Sequence, residues 1–310
     1  MTAKISIVTP CYNAKRYIDE TILGVITQKG DFEIQYLILD GGSTDGTLDI
    51  IERFKNMIDS GSFIPCCRKV SLTYNSEPDQ GMYDALAKGF RMVTGDIVAY
   101  INSDDYYLPN AFSVITEIYD SYPDVEWLTG MHLFYNEKGS IMSTWLPFKY
   151  DKDWIGKGMY GTILPFVEQE TTFWRRRLLD FVDFQKLKEY KFAGDFYLWH
   201  TFCQHSDLHI VNSCLGGFRF SNNQLSKQLD KYYEEFLNIA DPKTRMDRIV
   251  GRWIAKLTKR LSDKYKMLLN CHIIRYHNGQ WWKPDTARRD KLKSFVPSHQ
   301  LRSLLSRIVR

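Results

Sequence analysis

The sequence predicts an α/β protein with a mainly parallel, doubly wound sheet. Short apolar runs with strand composition alternate with segments of helical spacing over the first hundred residues of the 310. Turn residues separate these segments, and three acidic clusters close loops between them. Because parallel strands end at one edge of such a sheet, where ligands bind, these clusters are expected to gather there.

The elements of this half follow from local pattern. Apolar, β-rich runs predict strands at residues 5–8, 34–39, 70–74 and 97–101. Apolar residues spaced three or four apart predict helices over 14–25, 46–54 and 82–92. Asn13 is expected to cap the first of these helices, and Ser43, Thr44 or Asp45 the second.

The pattern after Pro109 is less regular. It predicts a helix over 112–118, a hairpin of 127–135 with 141–145, and a loop over 147–165. Further predicted segments are helices at 173–179 and 196–202, strands at 208–211 and 215–220, and helices at 232–239, 246–267 and 301–309. We therefore expect one domain over 1–225, divided near residue 108. A basic helical extension is expected over 226–310.

Charge separates this extension from the rest of the chain. The net charge is +4, but residues 241–310 hold 18 Lys and Arg against 5 Asp and Glu, a net of +13 that leaves −9 for residues 1–240. Such a tail suits an anionic partner. Leu301, Leu304 and Leu305 beside arginines, with Trp281 and Trp282, favour a membrane surface. The alternative is an ordinary helical appendage or dimer contact; nucleic acid is not expected because no aromatic RNA-binding motif is present.

The sequence also predicts a location. Its six cysteines lack the spacing of a zinc site and are expected to be reduced thiols. The N-terminal residues predict no signal peptide, and no apolar run is long enough to span a bilayer. We expect a cytoplasmic protein attached peripherally to the inner face of the plasma membrane.

The acidic clusters point to chemistry. Asp40 follows a predicted strand and can accept a hydrogen bond from an imide N–H, although an Asp before Gly-Gly also forms turns. Asp104 and Asp105 are hard oxygen ligands suited to Mg²⁺ or Mn²⁺, although an Asp pair can instead cap a helix. The sequence leaves open which of the two Asp residues contacts the metal.

Several motifs together resemble family 2 glycosyltransferases with the GT-A fold, over about residues 4–225. They are Ile7-Val8-Thr9-Pro10-Cys11-Tyr12-Asn13, Asp40 to Thr47, Asp79 to Asp84, Asn102 to Asp105, Gln169 to Arg176 and Ala193-Gly194-Asp195. Asn102 departs from the usual acidic residue, and Gly194 stands where many relatives carry a second acid.

The resemblance implies a catalytic domain over 1–225, with a nucleotide-binding half over 1–108 and an acceptor half over 109–225. It also implies residue roles. It implies Asp195 as the catalytic base, with Glu168 and Glu170 as rival bases, and a Mn²⁺ or Mg²⁺ ion at Asp104 and Asp105. It implies a loop over the diphosphate at Arg219, Asn223 and Ser226. The nucleotide-binding residues that it implies are Thr9, Pro10, Tyr12, Asp40, Asp79 and Asp104. Those implied for the donor sugar and acceptor are Asp84, Lys88, Glu168, Gln169 and Trp199.

The expected activity is inverting transfer of a hexose or N-acetylhexosamine from a UDP- or dTDP-sugar. The acceptor would be a glycan or a polyprenyl-diphosphate-linked glycan in surface polysaccharide synthesis. A sugar nucleotidyltransferase is the alternative enzyme, but the segment from Thr9 to Asn13 is not the phosphate loop that it would need. A degenerate sugar-binding module would lack metal and base residues, and both are present.

Overall fold

A computed structural model describes residues 2–220, 228–270 and 272–284. The predicted positions Asn223, Ser226 and 301–309 lie outside these residues. The strands within the described ranges are β1 (Ala3–Cys11), β2 (Gly30–Asp40), β3 (Cys67–Ser76), β4 (Ile97–Tyr100), β5 (Tyr106–Tyr107), β6 (Trp127–Thr129), β7 (His132–Tyr135), β8 (Ile141–Trp145), β9 (Thr172–Arg175), β10 (Leu208–Val211), β11 (Gly216–Arg219), β12 (Ile273–His277) and β13 (Gln280–Trp282). The helices are α1 (Ile18–Ile26), α2 (Thr47–Asp59), α3 (Met82–Met92), α4 (Ala111–Ser121), α5 (Lys152–Gly156), α6 (Phe184–Leu187), α7 (Gly194–Cys203), α8 (Leu229–Ile239), α9 (Arg245–Thr258) and α10 (Asp263–Leu269).

The main sheet has the order β13-β12-β10-β6-β9-β4-β1-β2-β3 in the described part of the chain. Its pairs are parallel except that β9 runs antiparallel between β4 and β6, and β13 runs antiparallel to β12. The predicted fold class, a mainly parallel α/β sheet, is confirmed. The carboxyl ends of β1, β2 and β4 lie side by side, since Cys11 pairs with Asp40 and Val8 with Tyr100.

Apolar strands and helix faces form the core between the layers. Ile5, Ile7 and Val8 of β1 have no exposed surface. Helix α3 packs so closely on this strand that a Cβ at Gly89 would lie 2.5 Å from Cγ1 of Val8. A glycine at this position is therefore required for the close helix–sheet approach that positions the acidic loop before α3.

The smaller sheet has the order β5-β11-β7-β8. Strands β7 and β8 form the predicted hairpin. The predicted strand 127–135 is divided, because β6 joins the main sheet whereas β7 joins the smaller one. The smaller sheet thereby holds β5, which follows the Asp104-Asp105 pair, against the rest of the molecule.

Three local predictions were wrong. Residues 172–175 form strand β9 rather than a helix, because the segment is buried between β4 and β6 and tertiary pairing overrides its helical spacing. The predicted helix 246–267 is two helices, α9 and α10. Asn13 does not cap α1: it has a φ of 49°, and its side chain accepts a hydrogen bond from the Thr44 N–H at 3.0 Å.

Residues beyond 225 are not wholly helical. Strand β12 pairs in parallel with β10, and β13 completes that edge of the main sheet. The helical character expected for this part is thus only partly right, since a run as short as Ile273–His277 has too few residues for its period to be read. None of the helices in the described ranges has the length and apolar content that crossing a bilayer requires. The domain limits proposed from the sequence remain a prediction.

Candidate active site

Asp40 organises the loop at the end of β2. It is 2% exposed, and its Oδ2 accepts from the N–H groups of Gly42 (3.1 Å) and Ser43 (2.9 Å) and from the Ser76 hydroxyl (2.7 Å). Burial acts to raise the pKa of the Asp40 carboxyl, but hydrogen bonds from Ser43 and Ser76 outweigh it and leave the pKa below its usual value. The group is an ionised acceptor that also holds the loop in place.

The second acidic loop lies beside the first. Asp79 accepts from the Gly81 N–H at 2.8 Å, and its Oδ2 would lie 2.9 Å from a Cβ at Gly41. Burial raises the pKa of Asp79, and the charges of Asp84 and Asp40 add to this effect. The two loops therefore form one negatively charged surface.

Lys88 neutralises part of the negative charge of these loops. Its Nζ lies 3.1 Å from Glu77 and 3.3 Å from Asp84. Its hydrogen bonds, first with Glu77 and then with Asp84, raise its pKa. The helix α3 thus presents a cation next to the acidic loops, where the sequence predicted a contact with the donor.

The predicted nucleotide residues of β1 divide by exposure. Thr9 is fully buried, and its hydroxyl lies 3.0 Å from that of Tyr36. Pro10 is also buried in the strand. Tyr12 is 65% exposed immediately after β1. Tyr12 is therefore the exposed ring of this segment, whereas Thr9 and Pro10 are buried behind the surface.

Asp104 and Asp105 have different environments. Asp105 is 1% exposed, and its Oδ1 accepts from the Arg219 N–H at 2.8 Å. Burial first, and then the charge of Asp104, hold the pKa of Asp105 well above its usual range. Asp104 is only partly buried. Asp105 is therefore suited to holding the segment, and Asp104 to meeting a ligand.

Arg219 fixes this segment from behind. It is completely buried, its Nε donates to the Asp104 carbonyl at 2.7 Å, and its Nη2 donates to Glu20 at 2.5 Å. Its guanidinium also stacks 4.2 Å from the centre of the Tyr17 ring. Sequence reasoning placed Arg219 in a loop over the diphosphate, but the structure gives it a supporting position under the acidic pair.

Asp195 lies in the first turn of α7, as predicted. Its Oδ1 accepts from the Phe196 N–H at 2.7 Å and from the Tyr232 hydroxyl at 3.3 Å. Burial raises the pKa of Asp195 to about 7, although both hydrogen bonds lower it and the charge of Glu168 raises it further. Burial therefore outweighs the helix dipole, which favours the ionised form of a carboxylate in the first turn of a helix.

Helix α8 supplies part of this environment. Glu235 accepts from three successive N–H groups in the segment that leads into α7: those of Lys191 (2.9 Å), Phe192 (2.8 Å) and Ala193 (2.8 Å). These hydrogen bonds fix the chain immediately before Asp195. Sequence reasoning missed Tyr232 and Glu235; the only signal was an acidic helix, with Asp230, Glu234 and Glu235, in an otherwise basic region.

Glu170 interacts electrostatically with both Asp105 and Asp195. It is 1% exposed, and neither carboxylate oxygen has a hydrogen-bond partner among the described residues. Burial holds its pKa well above the usual value, and the charges of Glu168, Asp105 and Asp195 act in the same direction. Glu170 therefore lies within electrostatic reach of Glu168, Asp105 and Asp195.

Glu168 and Gln169, which precede Glu170, contact neighbouring segments of the site. Glu168 lies 3.1 Å from Nδ1 of the buried His132, whose Nε2 is 2.9 Å from the Tyr150 hydroxyl. Gln169, with its amide oriented to satisfy its neighbours, donates to the Tyr100 carbonyl at 3.2 Å and accepts from Asn102 at 3.3 Å. Gln169 is thereby held next to the Asn102–Asp105 segment.

Trp199 occupies a different position from the one expected. It is 3% exposed and stacks on Trp127 with ring centres 5.7 Å apart. It borders a cavity of about 10 Å³ beside Asp195, room for about one water molecule. Trp199 is a core ring, so the predicted sugar contact is not carried into the proposal below.

The carboxylates of Asp104 and Asp105 supply only part of the ligand set that a divalent cation needs. Within the described residues, no group of three or more His, Cys, Asp or Glu side chains is arranged to hold a metal ion. Asp104 offers a partly exposed carboxylate, and Asp105 has a buried Oδ2 without a hydrogen-bond partner in the described part of the chain. Such a set fits an ion that takes its remaining oxygen ligands from a bound diphosphate and water.

Strand β2 ends at Asp40 and strand β4 ends shortly before the Asp104-Asp105 pair, at the sheet edge where open α/β folds bind ligands. The model of glycosyl transferase family 2 matches residues 6–180, more than half of the chain. The chain therefore belongs to family 2 of the glycosyltransferases, and the predicted family is confirmed.

Curated relatives match over short segments. One is TuaG of Bacillus subtilis, provisionally assigned to teichuronic acid biosynthesis, with 31% identity over 101 residues, 33% of this chain and 36% of TuaG. Another is a glycosyltransferase of PGL/p-HBAD biosynthesis in Mycobacterium bovis, with 32% identity over 101 residues, 32% of this chain and 35% of that protein. The chain thus spans about a third of the length of these curated relatives.

Solved structures share the fold at low identity. Staphylococcus aureus TarS 1–349 in complex with UDP-GlcNAc has a TM-score of 0.52 and 17% identity, covering 85% of this chain and 69% of TarS 1–349. The mannosyltransferase PcManGT of Pyrobaculum calidifontis, in complex with GDP-Man and Mn²⁺, has a TM-score of 0.51 and 13% identity, covering 100% and 86%. These similarities establish the fold.

Proposed function

We propose that the protein is an inverting glycosyltransferase that uses a nucleotide-sugar donor, with Asp195 as the general base. The observation that carries the proposal is the environment of Asp195: burial raises its pKa to about 7, and it lies within electrostatic reach of Glu168 and Glu170. A base is most effective when its pKa lies near the working pH. Family membership supports the same class of reaction.

The step is a single displacement. The acceptor hydroxyl oxygen forms a bond to the anomeric carbon as the bond from that carbon to the diphosphate breaks, and Asp195 takes the hydroxyl proton. Attack from the side opposite the leaving group inverts the anomeric configuration. Tyr232 orients the Asp195 carboxylate, and Glu168 raises its affinity for the proton.

We assign the nucleotide to the two acidic loops that contain Asp40 and Asp79. We place a uracil or thymine base beside Tyr12, with its imide N–H directed to Asp40 and its ribose near Asp79. Family membership supports this assignment, and the carboxylate of Asp40 is ionised. Because its Oδ2 already accepts from Gly42, Ser43 and Ser76, an imide N–H would replace one of these donors. Lys88 and Asp84 lie on the helix that follows, where the donor sugar would be held.

We assign Asp104 to a Mn²⁺ or Mg²⁺ ion, with Asp105 and Arg219 fixing the segment. The bound ion would supply a positive charge next to the leaving diphosphate. The PcManGT complex with GDP-Man and Mn²⁺ gives a precedent in a related fold. The donor sugar is proposed to be a hexose or N-acetylhexosamine.

The acceptor is proposed to be a glycan or lipid-linked glycan of a bacterial surface polysaccharide. The support is the naming of TuaG for teichuronic acid biosynthesis and the presence of UDP-GlcNAc in the TarS complex. A cytoplasmic location with peripheral membrane attachment fits such an acceptor. Of the residues to which the sequence argument assigns attachment, Trp281 and Trp282 lie in β13, and Leu301, Leu304 and Leu305 lie outside the described residues.

A thermal-shift screen tests the donor assignment. UDP-GlcNAc, UDP-glucose, dTDP-glucose, GDP-mannose and ADP-glucose are compared with and without Mn²⁺. A ligand at a hundred times its Kd adds about 2.7 kcal/mol to the free energy of unfolding, which raises Tm by about 5 °C in a chain of this size. We expect the uridine or thymidine donors to stabilise the protein more in Mn²⁺. Stabilisation by purine nucleotides alone would contradict the role of Asp40.

A further inference from the structure

Helix α9 exposes an apolar stripe that no described residue covers. Its buried side is formed by Asp247, Val250, Gly251 and Ile254, which pack towards the protein. A second set of apolar residues, the α9 stripe, is exposed on an adjacent face: Met246 (57%), Ile249 (41%), Trp253 (75%) and Leu257 (41%). The spacing of three and four residues places these side chains in one row.

The charges of α9 lie beside this stripe. The helix and the two residues after it carry six exposed cations: Arg245, Arg248, Arg252, Lys256, Lys259 and Arg260. None of the six has an ion-pair partner among the described residues. The acid of the segment, Asp247, is buried and lies 3.1 Å from Lys157. The exposed charge of α9 is therefore entirely positive.

The exposed apolar row and the six cations beside it limit what can bind to this face of α9. Residues 285–310 carry seven Lys and Arg against two Asp, so this segment and α9 would repel each other. A second copy that docked through the same face would likewise bring six cations against six. A surface of anionic lipids satisfies both features, because its headgroups attract the cations and its acyl boundary accepts the apolar row.

We propose that α9 lies on an anionic membrane surface, with the α9 stripe at the acyl boundary and its Arg and Lys side chains against lipid phosphates. Trp253 is the central contact, since an indole ring prefers the membrane interface. The helix is held in this position by the protein itself. Gly251 is packed so tightly that a Cβ there would lie 2.3 Å from Cε of Met159, and Asp247 caps the helix with Thr244.

Vesicle co-sedimentation of the full chain tests the proposal without donor or acceptor, so the result is independent of transferase activity. Vesicles of phosphatidylcholine with a quarter phosphatidylglycerol are compared with pure phosphatidylcholine, at low and high salt. We expect binding to the anionic vesicles that weakens at high salt. Trp253→Glu, and separately the pair Arg248→Glu and Arg252→Glu, should each reduce the partition coefficient about tenfold.

Matched variants identify other occupants. Ile64→Glu and Arg53→Glu change exposed residues elsewhere on the protein and should leave binding unchanged. Equal binding by Trp253→Glu and wild type, or loss only in the pair Leu304→Glu and Leu305→Glu, would overturn the proposal in favour of the tail. Size-exclusion chromatography adds a further check: a dimer that Trp253→Glu dissociates, with no vesicle binding by wild type, would mean that a second copy covers the stripe. Unchanged melting temperatures confirm that the variants fold.

Discussion

The two sides of the candidate active site are built differently. On the nucleotide side, Asp40 is held largely by residues of its own loop, Gly42 and Ser43, with Ser76 from the next strand. On the base side, Asp195 and the start of α7 depend on Tyr232 and Glu235, which lie beyond the residues that the family model matches. Local loop chemistry therefore shapes one side, and a later helix shapes the other.

The largest effect is expected from the base itself. Asp195→Asn removes the proton acceptor while keeping a similar shape, so kcat should fall by about 10²- to 10⁴-fold. Donor binding, measured by thermal shift, should stay near the wild-type value because the nucleotide side is untouched. Asp120→Asn, an exposed acid, is the matched control. Activity of Asp195→Asn within threefold of wild type would assign the base elsewhere.

The acidic pair should separate into one chemical and one structural residue. Asp104→Ala is expected to lower kcat about a hundredfold with little change in Tm, because it removes a carboxylate that meets the ligand. Asp105→Ala leaves the buried Arg219 N–H without its acceptor, which costs about 1–3 kcal/mol and lowers Tm by several degrees. Steady-state kinetics and thermal melts of both variants measure this, and the reverse pattern would exchange the two roles.

Tyr232 should tune the base without being required for turnover. Its hydroxyl lowers the pKa of Asp195, so Tyr232→Phe should move the acidic limb of kcat/KM upward by about 0.5–1 pH unit. The rate at high pH should remain close to wild type. Tyr233→Phe is the control, since that hydroxyl donates to the Gly161 carbonyl at 2.8 Å. If the acidic limb does not shift in Tyr232→Phe, the Tyr232 hydroxyl of α8 does not influence the catalytic base.

The smallest effect concerns stability. The pKa of Asp195 is about 7 in the folded protein and about 3.9 when unfolded. Between these values the folded state holds more protons, so the contribution of this group to stability falls as pH rises from about 4 to 7. Asp195→Asn avoids this loss. Its Tm should exceed that of wild type by a few degrees at pH 8 and by less at pH 4.5; an equal difference at both would contradict the burial of the charge.

Much of the nucleotide side was predictable, because its strands and turns are encoded locally. Helix α3 was predicted with its observed bounds, Met82–Met92, and Asp40 was placed at a strand end. Strand β9 was missed because its structure depends on pairing with β4 and β6. Helix α8 was predicted, but its contacts with Asp195 depend on how a distant segment returns to the sheet.

The pKa of Asp195 could not be predicted either. Position at a helix start favours the ionised form, but the side chains of Phe196, Phe166 and Tyr232 line the small cavity beside Asp195 and bury its carboxyl. The balance between these effects depends on packing that no local pattern gives.

The pH dependence of kcat/KM for the wild-type enzyme tests the central assignment most directly. The assay uses saturating Mn²⁺ and a UDP-sugar donor that stabilises the protein in the thermal-shift screen. We expect log(kcat/KM) to rise with unit slope and to level near pH 7, where Asp195 ionises. A profile that is flat from pH 5.5 to 9, or whose limb persists unshifted in Asp195→Asn, would contradict Asp195 as the base.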